Sequence, residues 1–238
     1  MNPPPPYPRI PRLQGPSEGD LLVPAADRAA WLRDPVVVEE KLDGANVAVW
    51  FDDEGRVQVS GRGGLGAMDR AGQLGRLRAW AAERTVRLAE LLGSGTALYG
   101  EWLWMEHSVP YDLLPDYLMV LDLWSPTAGF HSVDVRNAQA ASSGLFTPPV
   151  VHAGPAGDLT KLSDLSRRSA FRRGPAEGVV LRREHIDGGF DRCKWVRDDF
   201  ARKPDDGWQG RLEHNRLSKT VSQAHRPPGR RTGRARRG

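Results

Sequence analysis

The sequence predicts an α+β fold, made largely of antiparallel sheets with flanking helices. Strand and helix patterns are mixed along the chain, without the strict alternation that a doubly wound parallel sheet requires. Near the start, three apolar, β-branched segments follow one another closely, namely Val36–Val38, Val47–Phe51 and Val57–Val59. The second and third are joined by a hairpin turn at Asp52–Gly55, so the first sheet begins with antiparallel strands.

The other elements follow from hydrophobic periodicity. Between Met68 and Leu92, apolar residues recur every three or four positions, which predicts one long amphipathic helix. Nearly continuous apolar runs predict buried strands at Ala97–Trp104, Tyr117–Trp124, Gly178–Arg182 and Arg192–Val196. We expect three further helices, at Ala29–Arg33, near Val135–Ala141 and near Leu159–Arg172.

The chain of 238 residues is long enough for one domain that buries about 70% of its unfolded surface. We expect a proline-rich segment at 1–28, a folded domain at 29–203 and a basic, flexible tail at 204–238. Residues 211–238 carry nine Lys or Arg against one acid, Glu213, whereas the rest of the chain holds 25 basic and 29 acidic residues. Such a tail would attract phosphate backbones, although a merely solubilising tail is an open alternative.

Composition excludes several classes of protein. No apolar run approaches the roughly 18 to 20 residues that a membrane span needs, so we expect no membrane partner. The proline-rich start has no apolar core of the kind a signal peptide contains, which predicts a cytoplasmic protein. The single cysteine, Cys193, excludes an internal disulfide and a cysteine-rich zinc site.

Charged residues stand inside or beside the apolar strands. A lysine loop, Lys41-Leu42-Asp43-Gly44, separates the first two strands, and on its own it could be an ordinary turn in which Gly44 takes a positive φ. Further along the chain, strands carry Glu101, Asp122, Glu177 and Lys194. Charges in apolar strands are costly unless they face a polar site, so these residues indicate one shared cavity.

This ordered set resembles the nucleotidyltransferase motifs of the polynucleotide ligase and capping-enzyme superfamily. The motifs are KxDG, GE in an apolar strand, an aspartate strand, EGhVhR (h, hydrophobic) and a lysine strand, and all five occur here in order. Within the superfamily, the segments EKLDGAN (40–46), GEWL (100–103), HSV (107–109) and YDLLPDY (111–117) look most like RNA ligases of the compact bacterial type. The resemblance covers residues 36–202.

The resemblance implies an ATP-dependent RNA ligase that forms a covalent lysyl-AMP on Lys41 and then joins 5′-phosphate to 3′-hydroxyl ends. Lys194 would bind the α-phosphate and act with Lys41, and Glu177 would hold a divalent ion, Mg²⁺ or Mn²⁺. The expected nucleotide contacts are Glu40, Asp43, Gly44, Arg62, Glu101, Glu177 and Lys194. Nucleic acid is the expected partner, with RNA favoured over DNA.

Physical chemistry places a condition on Lys41. A lysine that attacks phosphorus must be neutral, and at a pKa of about 10.4 only about one molecule in 2,500 is neutral at pH 7. The site is therefore expected to lower the pKa of this lysine by partial desolvation or by neighbouring cations.

Two departures from the family pattern bear on this reading. Many relatives have a second lysine two positions after the first in the last motif; here Val196 stands there and Arg197 follows. Because successive strand residues point to opposite faces, Arg197 would replace that lysine only at a bulge. Many relatives also carry an OB-type domain after this motif, and we expect this chain to be a minimal ligase or to use a protein partner in its place.

Two other functions stay open at this point. The chain could be a DNA ligase or an enzyme that adenylylates ends without sealing them, or a degenerate ligase fold that only binds nucleic acid. Structural roles are expected for Cys193, Trp102, Trp104 and Trp124, and Asp122 is expected to be less direct in catalysis than Glu101 and Glu177. For His107, a role in lining the site and a structural role are both open.

Overall fold

The computed structural model describes residues 3–15, 21–61, 72–93, 95–185, 190–200 and 213–218. The strands within these residues are β1 (Pro35–Lys41), β2 (Ala45–Phe51), β3 (Val57–Gly61), β4 (Ala97–Trp102), β5 (Leu118–Ser125), β6 (Gly129–Phe130), β7 (Val150–Pro155), β8 (Gly178–Glu184) and β9 (Phe190–Val196). The helices are α1 (Arg28–Arg33), α2 (Gln73–Glu83), α3 (Thr85–Leu92), α4 (Val133–Ser142) and α5 (Leu159–Leu165). In this part of the chain, no helix is both long and apolar enough to cross a membrane.

The strands form two antiparallel sheets. One sheet has four strands in the order β7-β1-β8-β9, and the other has five in the order β3-β2-β4-β5-β6. These pairings confirm the predicted α+β fold with antiparallel sheets.

The four-stranded sheet buries one face against helices. Its apolar residues on that face pack with Trp31 of α1 and Leu162 of α5; they are Val36, Val38, Val179, Leu181 and Cys193. Because side chains alternate along a strand, the intervening residues of β1, β8 and β9 point to the opposite face. That opposite face carries the charged residues discussed below.

The five-stranded sheet buries its outer face against α2, α3 and α4. This is the largest apolar cluster among the described residues, and its fully buried members include Val49, Leu77, Leu88, Leu98, Trp102 and Leu123. The inner face of this sheet carries Tyr99, Glu101 and Asp122 and is turned toward the four-stranded sheet. A cleft between two inner faces results.

The long helix predicted between Met68 and Leu92 is two helices instead, which meet at Arg84. Arg84 has φ −114° and ψ 13°, outside the α-helical region. The Thr85 hydroxyl donates to the carbonyls of Ala81 and Ala82, at 3.3 and 2.9 Å. A side chain that competes for helix carbonyls in this way favours a bend.

Two further differences concern the second half of the chain. The helix predicted near Leu159–Arg172 ends at Leu165, and the strands β6 and β7 were missed. None of the side chains of β7 is fully buried, because β7 lies at the edge of its sheet. Because its side chains need not be apolar, such an edge strand lacks the apolar run from which a strand is predicted.

Residues 5–13 form an N-terminal strap that crosses the open edge of β9. The amide of Lys194 donates to the Pro11 carbonyl at 2.8 Å, and the amide of Leu13 donates to the Lys194 carbonyl at 2.7 Å. At the other end of the strap, the Tyr99 hydroxyl donates to the Pro5 carbonyl at 2.5 Å. The strap is therefore tied to both sheets.

Residues 213–218 form a C-terminal clip within the region expected to be a flexible tail. The side chain of Asn215 is buried, accepts from the Tyr111 amide at 2.7 Å and donates to the carbonyls of Leu103 and Met105. The polar composition of this segment predicted no packing, but one buried amide side chain satisfies three backbone groups. These six residues belong to the folded body.

Candidate active site

A cavity of about 320 Å³ lies between the two sheets. Strand alternation explains which residues reach it: Lys41, Val180 and Lys194 occupy one face of three adjacent strands, since Val180 pairs with Lys194 and Lys41 pairs with Gly178. From the other sheet, Asn46 and Glu101 are direct cross-strand partners and face the same space. The structure thus brings Lys41, Lys194 and Glu101 around one cavity, whereas Asp122 and Glu177, which the sequence analysis placed in the same cavity, are not among the described residues that line it.

Lys41 forms an ion pair with Glu177. The distance from Lys41 Nζ to Glu177 Oε2 is 2.5 Å, and the side chains are only 17% and 12% exposed. Burial alone would lower the pKa of Lys41, but the nearby carboxylates, chiefly Glu177 and Asp43, outweigh it and raise the pKa above its ordinary value. In this arrangement Lys41 is a paired ammonium, whereas the attacking form of the residue must be neutral.

The loop after Lys41 is held by hydrogen bonds at each residue. The Asp43 carboxylate accepts from the Ser108 amide at 2.7 Å, and the Asp43 amide donates to the Tyr111 hydroxyl at 2.9 Å. The Gly44 amide donates to Glu101 Oε1, also at 2.9 Å. Glu101 therefore connects the lysine loop to β4 while it borders the cavity.

Gly44 is required by space rather than by a positive φ, in contrast to the ordinary-turn interpretation. A Cβ atom at this position would lie 2.5 Å from the Trp102 carbonyl oxygen and 2.8 Å from Leu103 Cδ2. The loop packs directly on the end of β4, and any side chain would push it away.

Glu40 borders the cavity, but its carboxylate is engaged elsewhere. Alternation in β1 turns its side chain to the face opposite Lys41, where the carboxylate accepts from the Ser169 hydroxyl and, at 2.8 Å, from the Ala170 amide. Burial raises the pKa of Glu40. This side chain anchors the loop before β8, and its expected nucleotide contact stays a prediction.

The end of β9 shows which residues stand where many relatives have a second lysine. Val196 lies on the same face as Lys194 and is buried, whereas Arg197 follows the strand. The Arg197 guanidinium makes two hydrogen bonds of 2.9 Å to Asp199. Its backbone amide donates to the Glu177 carbonyl at 3.0 Å, so this residue fixes the β9 end instead of facing the cavity.

Asp122 belongs to a buried ionic network that joins the two sheets. It accepts from Arg182 at 2.6 Å, from Arg192 at 2.5 Å and from the Tyr7 hydroxyl. Glu39 pairs in turn with Arg182 and with Arg136 of α4. The side chains of Asp122, Glu39, Arg136 and Arg182 are 1 to 2% exposed, and that of Arg192 is 7% exposed. Asp122 is therefore a structural acid, as the sequence analysis expected.

The structure also shows where other residues named in the sequence analysis lie. Arg62 lies outside the described residues. Cys193 is buried in the core of the four-stranded sheet, and Trp102 is fully buried under the five-stranded sheet. Burial lowers the pKa of His107, against the opposing effect of Asp43, so the ring is neutral at pH 7. In the described part of the chain, no group of three or more His, Cys, Asp or Glu side chains is placed to hold a metal alone.

Sequence reasoning missed the contribution of the N-terminal strap. Tyr7, Arg9 and Ile10 all line the cavity between the sheets. Tyr7 is 5% exposed and packs against Tyr99, with ring centroids 4.9 Å apart and ring planes tilted by 34°. In the sequence, Tyr7 is an aromatic residue among prolines, and this pattern does not show that its partner, Arg192, lies 185 residues away on β9.

Solved structures of RNA ligases share this fold. The Naegleria gruberi RNA ligase with PPi gives a TM-score of 0.52 at 17% identity, over 72% of this chain and 52% of that chain. An archaeal ATP-dependent RNA ligase, form 2, gives 0.50 at 19% identity, over 80% and 48%. A variant of the Naegleria gruberi enzyme with ATP and Mn gives 0.52 at 16%, over 72% and 52%. This chain spans about half the length of these proteins.

The sequence itself identifies the family. The RNA ligase family profile matches residues 34–196, from the start of the four-stranded sheet to the end of β9. A search of curated proteins gave no match. The chain belongs to the RNA ligase family, and the residues that the profile matches include most of both sheets and of the cavity between them.

Proposed function

We propose that the protein is an ATP-dependent RNA ligase that attaches AMP to Lys41 and then joins a 5′-phosphate to a 3′-hydroxyl. The observation that carries the proposal is the placement of Lys41 and Lys194 on one inner face and Glu101 on the other, around a single cavity. Family membership and the named ligands of the structural relatives, ATP and Mn, support it.

The first step forms a bond between Lys41 Nζ and the α-phosphorus of ATP and breaks the bond to pyrophosphate. Lys194, on the same face as Lys41, would hold the α-phosphate and stabilise its growing negative charge. Glu101 would bind the ribose hydroxyls, and Asp43 and Gly44 fix the position of the loop that carries the nucleophile. Arg62 is a proposed contact to the ribose or to the 5′-phosphate.

The site residues fit a divalent cation. Glu177 provides a carboxylate beside Lys41, and Asp43 and Glu101 add negative charge nearby. Since the described residues offer no complete set of metal ligands, phosphate and water oxygens would complete the shell, which is usual for Mg²⁺. Bound at Glu177, Mg²⁺ or Mn²⁺ would neutralise phosphate charge and offset the carboxylate that keeps Lys41 protonated.

In the second step an RNA 5′-phosphate oxygen attacks the lysyl-AMP phosphorus, and Lys41 leaves and recovers its proton. In the third, the RNA 3′-hydroxyl attacks the 5′-phosphorus and AMP leaves, which creates the phosphodiester. All three steps are in-line displacements at phosphorus, for which positioning and charge neutralisation supply most of the rate.

The test of the proposal is covalent labelling. Purified protein is incubated with Mg²⁺ and α-phosphate-labelled ATP, and label that survives denaturation is measured beside GTP and NAD. We expect label from ATP in the wild type and none in Lys41→Ala, while Lys161→Ala, a lysine on α5, labels normally. Absence of label in the wild type would refute self-adenylylation by this chain alone.

Sealing assays address the alternatives. RNA, DNA and mixed nicks are offered to the labelled enzyme, and we expect joining of RNA ends. Joining of DNA alone would establish a DNA ligase, and release of adenylylated ends without joining would establish an end-modifying enzyme. If Lys41→Ala changed no measurable activity while nucleic acid still bound, the protein would be a binding module on a ligase fold.

A protein partner or a further domain that orients pyrophosphate, and a cytoplasmic location, both stay predictions. The first is supported by the length of the structural relatives, of which this chain spans about half. A labelling rate that rises on addition of a cell extract, and not of heated extract, would support such a partner.

A further inference from the structure

A second cavity, of about 240 Å³, is rich in arginine. Three guanidinium groups border it, those of Arg172, Arg173 and Arg216. The acids that face it are Glu106 and Asp112, so the net charge of the lining is +1. We call this surface the arginine pocket.

The arginine pocket is built by three distant segments held by backbone hydrogen bonds. The amides of Asp112 and Leu113 donate to the Phe171 carbonyl at 3.2 and 2.9 Å. The Arg216 amide donates to the Tyr111 carbonyl at 2.8 Å, and the Leu114 amide donates to the Arg216 carbonyl at 3.2 Å. The loop before β8 and the C-terminal clip thus bring their arginines to the same strand-like segment.

Arg172 has unused hydrogen-bonding capacity. Its Nε and Nη1 atoms are buried and, among the described residues, have no hydrogen-bond partner. Buried donors of a charged group are rarely left unpaired in a folded protein, so such a group points to a missing acceptor. Arg173 is available as well, since its side chain is 87% exposed and lies 3.9 Å from Asp112, too far for a strong ion pair.

The acids do not cancel this capacity. The three arginines outnumber the two acids of the lining, and the pKa of Glu106 is raised by burial and by the neighbouring Glu213 but lowered by Arg216. A guanidinium group binds phosphate through two parallel hydrogen bonds, which suits this arrangement of three arginines.

The pocket is coupled to the lysine loop and lies next to an aromatic platform. Tyr111 lines the pocket, and its hydroxyl accepts from the Asp43 amide, two residues after Lys41. In the same clip as Arg216, the His214 ring stacks on Trp104 with centroids 4.3 Å apart. Stacked aromatic rings next to arginines are a usual combination in proteins that bind single-stranded nucleic acid.

We propose that the arginine pocket binds backbone phosphates of the single-stranded polynucleotide substrate and guides its end toward Lys41. The inference rests on the proposed function, because it names where the nucleic acid lies relative to the nucleotide cavity. It differs from the role predicted for the basic tail, since Arg172 and Arg173 belong to the folded domain.

The test compares two double variants that each remove two exposed positive charges. Arg173→Ala/Arg216→Ala removes the exposed arginines of the pocket, and Arg33→Ala/Arg56→Ala removes two from other surfaces. Binding of a fluorescent single-stranded RNA is measured by anisotropy over a series of salt concentrations. Labelling by ATP is measured separately on the same preparations.

We expect the pocket variant to bind RNA roughly tenfold more weakly at low salt, with a salt slope smaller by about 1.4, the value for two lost phosphate contacts. The control variant should change affinity less than twofold, and both variants should label like the wild type. Equal affinity and slope in the two variants, or no RNA binding by the wild type, would overturn the inference.

Two further results separate the inference from the proposed function. If the wild type binds RNA through the pocket but takes no label from ATP, the pocket stands and the ligase proposal fails. If the pocket variant loses ATP labelling but keeps its RNA affinity, the pocket serves the phosphates of ATP and the inference is wrong.

Discussion

At the scale of single residues, Gly44 shows how tightly the nucleophile loop is fitted to its neighbour strand. Gly44→Ala would place a Cβ atom against a backbone carbonyl that cannot swing aside. We expect a loss of about 1 to 3 kcal/mol in the free energy of unfolding. Because the displaced loop carries Lys41 and Asp43, we also expect AMP attachment to fall at least tenfold.

The control for this substitution is Gly95→Ala, where no atom lies within 4 Å of the added Cβ. Denaturant unfolding and ATP labelling are measured for both variants. If Gly44→Ala folds and labels like Gly95→Ala, the close contact with Trp102 does not limit the site.

Asp122 makes a prediction about pH. Burial alone would raise its pKa, but Arg182 and Arg192 hold it below its ordinary value. A carboxyl group whose folded pKa is lowered stabilises the protein fully above its unfolded pKa of about 3.9, and that contribution is lost as the pH falls toward the folded pKa. Asp122→Asn should therefore cost about 3 to 5 kcal/mol at neutral pH and less below pH 4.

Urea unfolding of the wild type and Asp122→Asn from pH 3 to 8 measures this difference. The exposed pair of Asp164 with Arg167 provides the control, since Asp164→Asn should cost less than about 1 kcal/mol. A difference between wild type and Asp122→Asn that stays constant down to pH 3 would contradict the assignment of a lowered pKa.

At the scale of elements, one hydroxyl group, that of Tyr7, joins the N-terminal strap to the buried ionic network. The Tyr7 hydroxyl accepts from Arg192 at 2.5 Å and donates to Asp122, while its ring packs on Tyr99 and Phe130. Tyr7→Phe keeps the ring and leaves two buried charged groups with a bond fewer. We expect a loss of about 1 to 3 kcal/mol in stability, measured by thermal or urea unfolding.

The comparison for Tyr7→Phe is Tyr117→Phe, whose hydroxyl makes one long bond of 3.3 Å to the Asn215 carbonyl. This second variant should lose less than half as much stability. Equal losses would mean that the strap is held by its backbone bonds and not by the ionic network.

The elements also show what the sequence could predict. The buried strands and the lysine loop between them could be predicted, because burial on one or both faces leaves apolar runs in the sequence. Lys41, Glu101 and Lys194, which interrupt or follow these runs, line one cavity. The strap, β7 and the hydrogen bonds of Glu40 to Ser169 and Ala170 could not be predicted. Each depends on which distant segment lies alongside, and a local pattern carries no information on that.

At the scale of the whole molecule, the clip separates two truncations of the basic C-terminal region. A chain ending at Ser218 keeps the Asn215 hydrogen bonds, whereas one ending at Gly210 loses them. We expect the chain ending at Ser218 to fold and to label normally but to bind RNA with a weaker dependence on salt concentration. For the chain ending at Gly210, we also expect the free energy of unfolding to fall by about 2 kcal/mol or more, because three buried backbone groups lose their hydrogen-bond partner.

RNA binding against salt and urea unfolding, measured on both truncated chains and the full chain, test this prediction. Equal stability of the two truncated chains would show that the clip is dispensable for folding. Unchanged salt slopes in both would remove the tail from nucleic-acid binding.

The strap has a consequence for the order in which the protein is made. Tyr7 leaves the ribosome 185 residues before its partner Arg192. Until β9 is synthesised, the strap has no edge to lie against, and Asp122 has Arg182 of β8 but not Arg192 of β9 as a partner. The cavity between the two sheets is therefore completed only after β9 has emerged, when the strap, which was synthesised long before, can lie against it.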